Sequence, residues 1–181
     1  MDNVELLYDY FSKSNISVIG YTTSTEKTKD KIISKISHVI INDIDPSICF
    51  KQFIRNKRID SLLNNLDSNY SYIVIDLDEI TWNSSRLSIS ELIHNFLIDV
   101  ANSILNTNYK LIITSHLIRD IHSNTTTFRS YSVLLLSNFF CVIENDYIRV
   151  IKNGYSSEKI ISLNGLEDYE YECNKKQESI L

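Results

Sequence analysis

Four short apolar runs, separated by stretches of helical periodicity, constrain this chain more than any other feature of its sequence. They are Ile16-Ser17-Val18-Ile19, His38-Val39-Ile40-Ile41, Tyr72-Ile73-Val74-Ile75 and Leu111-Ile112-Ile113. Runs this short and this rich in β-branched residues predict strands, and those apolar throughout suit strands covered on both faces. Between them, residues 29–37 predict one helix and residues 47–66 one or two. The clearest helix is predicted from residue 88. Ser88 and Glu91 make a capping-box pattern. Ile89, Leu92, Ile93, Phe96, Leu97, Val100, Ala101, Ile104 and Leu105 then form one wide apolar stripe. Strands alternating with helices, joined by right-handed crossovers, predict an α/β fold in three layers: a mostly parallel sheet with helices on both faces.

The flanks complete the reading. Residues 4–12 predict a helix, residues 118–128 a polar loop and residues 131–136 a helix. Residues 139–143 and 147–151 predict strands joined by the turn Asn145-Asp146, and residues 159–163 another strand. Residues 1–165 are expected to form one domain, and the acidic, polar residues 166–181 a poorly ordered tail. With 181 residues, 43% of them hydrophobic and 23% charged, the chain can bury a sizeable core. Its net charge of -5 argues against strong autonomous binding to nucleic acid. The local basic stretch Lys51, Arg55, Lys57 and Arg58 suits either phosphate contacts or a solvated helix face. Cys49, Cys141 and Cys173 stand far apart and read as free thiols, which suits an intracellular setting. No apolar run approaches the roughly 18 residues of a membrane span.

Ligands of parallel sheets sit beyond the carboxyl ends of the strands. Gly20, Asp43, Asp76 and Ser115 fall at those predicted ends and should line one rim. The segment Gly20-Tyr21-Thr22-Thr23-Ser24-Thr25-Glu26-Lys27-Thr28 joins a strand to a helix, the setting of a phosphate-binding loop. Such a loop wraps phosphates with backbone N–H groups, and a Gly normally precedes its Lys-Thr. Here Glu26 takes that place. It restricts the backbone and sets a carboxylate beside the phosphates. The residues alone fit either an altered phosphate loop or an ordinary turn rich in Thr and Ser. Asp76, closing an apolar strand, is a candidate to hold magnesium through its water shell. His116 and His122 lack partners at metal-ligand spacing.

In their order, these segments resemble the RecA-like P-loop ATPases of the DnaB-helicase, KaiC and recombinase type. That family's loop follows G-x-R-P-S-x-G-K-T. Gly20, Ser24, Lys27 and Thr28 match it, whereas Thr22, Thr23 and Glu26 depart. Residues 72–76 look like its Walker B strand. Residues 111–116 look like the next strand, which ends in a polar residue that senses the γ-phosphate, here His116. Residues 139–163 are similar to its closing β-hairpin, with Lys152-Asn153-Gly154 a partial match to a stretch near a neighbouring subunit's nucleotide. The resemblance covers roughly residues 14–163.

The resemblance implies ATP and Mg2+ as cofactors, with Thr28 and Asp76 on the metal and Gly20, Ser24, Lys27, Thr28, His116 and Lys152 around the nucleotide. The place of the catalytic Glu holds Asn42-Asp43-Ile44-Asp45, where Asp43 or Asp45 would have a shorter reach. It also implies a protein partner or a homo-oligomer, with nucleic acid reached through a partner. Two functions follow. One is a degenerate RecA-like domain, non-catalytic or weakly nucleotide-binding, serving DNA replication, recombination or repair. The alternative is an active ATP-dependent helicase- or recombinase-type ATPase with an atypical loop.

Overall fold

A computed structural model describes residues 2–36, 38–40, 72–78, 88–105, 107–120, 125–128, 132–153 and 159–169. Helix α1 (Asn3–Lys13) opens with a reciprocal cap. The Glu5 N–H donates to Asp2 Oδ1 at 2.8 Å, and the Asp2 N–H donates to Glu5 Oε2 at 3.0 Å. Its inner face buries Val4, Leu7, Tyr8 and Phe11. Then come β1 (Ile16–Tyr21), α2 (Glu26–Ser34), β2 (His38–Ile40), β3 (Tyr72–Asp76), α3 (Ile89–Ile104), β4 (Lys110–Asp120), β5 (Thr125–Phe128), α4 (Ser132–Leu136), β6 (Phe139–Glu144), β7 (Tyr147–Lys152) and β8 (Lys159–Ser162).

The strands lie in the order β2-β3-β4-β1-β6-β7-β8, with β5 on β4. The first five of that order are parallel. The hairpin β6–β7 and then β8 close the sheet in antiparallel fashion. The chain turns between β6 and β7 at Asn145, whose φ of 29° suits an Asn in a tight hairpin. This is the α/β arrangement expected from the sequence: a mostly parallel sheet, helices on both faces and a C-terminal β-hairpin.

Period-two alternation builds two cores from one sheet. Ile19, Tyr21, Val74, Ile112, Cys141 and Ile148 pack with α1 and α2 on one face. Val18, Ile73, Ile75, Ile113, Phe140 and Val142 pack with α3 and α4 on the other. The chain therefore leaves β1 towards one face, and the helix after β4 lies on the other. Where neighbouring parallel strands diverge in this way, a crevice opens at their carboxyl ends. Here that divergence falls between β1 and β4.

Three expectations are corrected. The predicted loop over 118–128 is a hairpin: β4 runs on to Asp120, and its last four residues pair with β5. Thr125, Thr126 and Thr127 are β-branched and suit a strand, but they lack the apolar alternation that reveals one in sequence. Helix α2 starts at Glu26 instead of residue 29, because its exposed first turn carries no apolar stripe. The tail is packed at its start. Gly165 turns the chain at φ +89°, Leu166 is buried, and Tyr169 stacks on Tyr8 with ring centroids 4.8 Å apart. Glu167 pairs with Lys31 and its carbonyl accepts from Lys35. Residues 170–181 lie outside the described residues.

Leu166→Ala should therefore cost about 2–3 kcal/mol, as truncation of a buried leucine does. Urea unfolding measures this directly, and a tail detached from the core would give no change.

Candidate functional site

Strand register brings four polar side chains to the carboxyl rim. In β1 and β4, Tyr21 lies beside His116 and Gly20 beside Ser115. In β3 and β4, Asp76 lies beside Thr114. Tyr21, Asp76, Thr114 and His116 share the α2 face, because they continue the alternation of Ile19, Val74 and Ile112. Asp76 is 7% exposed and sits at the centre.

Lys29 comes to Asp76 from the first turn of α2. It lies three and four residues before Ile32 and Ile33, both buried, so the helix turns it inwards. Its Nζ donates to Asp76 Oδ2 at 3.2 Å and pairs with Asp30 Oδ1 at 2.9 Å. It also lies 4.6 Å from the centroid of the Tyr21 ring, a cation–π contact. Tyr21 Oη donates to Asp76 Oδ2 at 3.1 Å. The Asp78 N–H donates to Asp76 Oδ1 at 3.0 Å. Asp78 Oδ2 in turn accepts from the His116 N–H at 2.6 Å, and the His116 ring tilts against Tyr21 with centroids 4.5 Å apart.

The electrostatics follow from that packing. Burial pushes the Tyr21 hydroxyl well above its ordinary range, and the Asp76 charge and hydrogen bond push it further. For Lys29, burial works to lower the ammonium, but the Asp30 and Asp76 carboxylates outweigh it and the net direction is up. The rim is thus a locked acid–base cluster in which one lysine ammonium and a tyrosine hydroxyl are held against carboxylates.

The sequence-derived candidates divide into groups. Asp76 and His116 meet at this rim. Gly20 lies inside β1, buried between β4 and β6, where it extends the sheet. Ser24 is exposed, its hydroxyl 2.9 Å from Thr22 Oγ1. Lys27 is exposed and Thr28 half-buried in the first turn of α2. Lys152 does not join them: it pairs with Phe140 near the start of β6, at the opposite edge, and donates to the Leu134 carbonyl at 3.1 Å. Strand order alone puts it there, because β7 runs antiparallel to β6. Asp43 and Asp45 lie outside the described residues. Sequence reading missed Tyr21 and Lys29. The signal available was a lysine on the apolar stripe of α2.

The turn after β1 and the Asp76 carboxylate spend several of their polar groups within the protein. Only residues 22–25 separate β1 from α2, and they form a tight turn. The Thr25 N–H donates to the Thr22 carbonyl at 3.0 Å, and the Thr22 N–H to Thr25 Oγ1 at 2.9 Å. Donors engaged in the turn itself are not offered to phosphates. Both oxygens of Asp76 already accept hydrogen bonds from protein groups.

No protein-family model matches the chain, and no curated protein does. In structure the chain is similar to a solved ATPase domain, with a TM-score of 0.49 and 13% identity over 82% of this chain and 80% of that one. It is also similar to the RadB recombinase, with a TM-score of 0.46 and 10% identity over 75% and 79% of the two chains.

Lys29→Ala should cost about 3–5 kcal/mol, because it strands a buried carboxylate, whereas Lys27→Ala on the exposed surface should stay within about 0.5 kcal/mol. Chemical denaturation of the two variants separates them. Both raised groups act in the same direction with pH. The folded state holds the Tyr21 and Lys29 protons when the unfolded chain releases them, so their stabilisation is complete below about pH 10 and declines as pH rises beyond it. Melting curves between neutral and strongly alkaline pH should show that decline, and Tyr21→Phe should flatten it.

Proposed function

We propose that the chain is a RecA-like domain that works without efficient ATP hydrolysis, as a binding partner in DNA replication, recombination or repair. One observation carries the non-catalytic part. The turn that would cradle phosphates is short and tied to itself, while Lys27, the lysine that matches the family's loop, is exposed in the first turn of α2. Glu26 in place of the family's Gly, and Lys152 standing where that family's hairpin has Arg, support the same reading. The link to DNA metabolism comes from the resemblance in motif order, a fold-level analogy. The acidic net charge favours action through a protein partner, or a second copy, over direct coating of nucleic acid.

Thermal melting with a non-hydrolysable ATP analogue tests this. A working site filled at one hundred times its dissociation constant would add about 2.7 kcal/mol, roughly 5–10 °C for a domain of this size. We expect no such shift at millimolar analogue with Mg2+. A large shift that Lys27→Ala abolishes, together with steady ATP turnover, would instead establish the active-ATPase reading.

A further inference from the structure

We propose that the Lys29 ammonium is the resident counter-ion of Asp76 and bars divalent cations from the carboxyl rim. The argument begins with burial. A carboxylate that is 7% exposed needs a positive partner or enough donors to replace water. Asp76 has both, since Lys29, Tyr21 and the Asp78 N–H all donate to it. Mg2+ sheds its water reluctantly and requires six oxygens in near-octahedral array. Here the Lys29 ammonium, 8% exposed as a residue, sits against Asp76 Oδ2. Its charge, 3.2 Å from Oδ2, repels any dication at the same oxygen.

A second buried oxygen lies on the same face of the sheet. Thr114 is 1% exposed, lies beside Asp76 in register and faces the same side of the sheet. Its hydroxyl oxygen has no hydrogen-bond partner among the described residues. A buried hydroxyl without a partner is uncommon and calls for a reason. With the lysine side chain removed, the Asp76 carboxylate and the Tyr21 hydroxyl, which converge on it, would face the space it leaves. Oxygens of that kind suit a hard cation such as Mg2+ or Mn2+. In the native chain Lys29 fills that space.

This inference stands on the geometry of the rim and does not depend on a role in DNA metabolism. Mn2+ is the probe, followed by electron paramagnetic resonance in the absence of nucleotide, with Mg2+ used in parallel melting curves. The wild-type chain should bind no Mn2+ through Asp76 at millimolar ion. Lys29→Ala should bind it at least about a hundredfold more tightly, since a unit charge at contact distance is removed. Its lowered melting temperature should rise with Mg2+ or Mn2+. Adding Asp76→Asn should abolish both effects. If Lys29→Ala does not fold, Lys29→Val, which also leaves the ammonium's position vacant, takes its place. Mn2+ binding by the wild-type chain that Asp76→Asn removes would overturn the proposal, as would a folded lysine variant with no gain in Mn2+ affinity. Nucleotide-dependent stabilisation with steady ATP turnover, but without Mn2+ binding through Asp76, would instead overturn the non-catalytic reading and leave this inference standing.

Discussion

The position of β1 governs this molecule. It lies in the interior of the sheet, hydrogen-bonded to β4 on one side and β6 on the other, with both faces covered. Because it is parallel to both, its last residue has to emerge at the same rim as the ends of β3 and β4. Because side chains alternate, Tyr21 has to face α2 together with Asp76, Thr114 and His116. A slip of one residue in the β1–β4 register would send Tyr21 to the α3 face and leave Asp76 without its hydroxyl partner.

That geometry presents a buried carboxylate at the strand ends, and the chain satisfies it from within. Three donors converge on Asp76, and a buried ion pair with this many hydrogen bonds is among the few that hold without solvent. The consequence is chemical as well as structural. The cation and the anion at the rim are bound to each other. The same logic explains the short turn before α2. With the Thr22 and Thr25 donors turned inwards, the helix begins at Glu26, and this places Lys29 one turn along, at the height of Asp76.

Much of the architecture was legible beforehand, for a physical reason. The runs at β1, β3, β4 and the amphipathic stripe of α3 carry their periodicities openly, since both faces of a central strand and one face of a covering helix need apolar residues. The hairpin turn at Asn145 and the aspartate closing β3 were readable on the same grounds. Less visible were the elements whose stability comes from elsewhere. The extension of β4 and its partner β5 is polar. The segment from Leu166 to Tyr169 holds through one buried leucine, one stacked tyrosine and an ion pair across 136 residues of sequence. The candidate site was half legible. Asp76 and His116 could be placed from strand ends. Tyr21 and Lys29 were missed: the place of Lys29 on the apolar stripe of α2 hints at burial, but its partner is set by residues remote in the chain.

By itself, the sequence determined the alternation of strand and helix, the sides of each element that avoid water, and the rim at which polar residues gather. These are local properties, set by side-chain period and by the handedness of crossovers. Tertiary structure alone decided which lysine reaches Asp76, that Lys152 stands at the opposite edge, and that the start of the tail docks on α1 and α2. Those outcomes depend on distances between residues remote in the chain, and such distances exist only once the sheet has set its order and register.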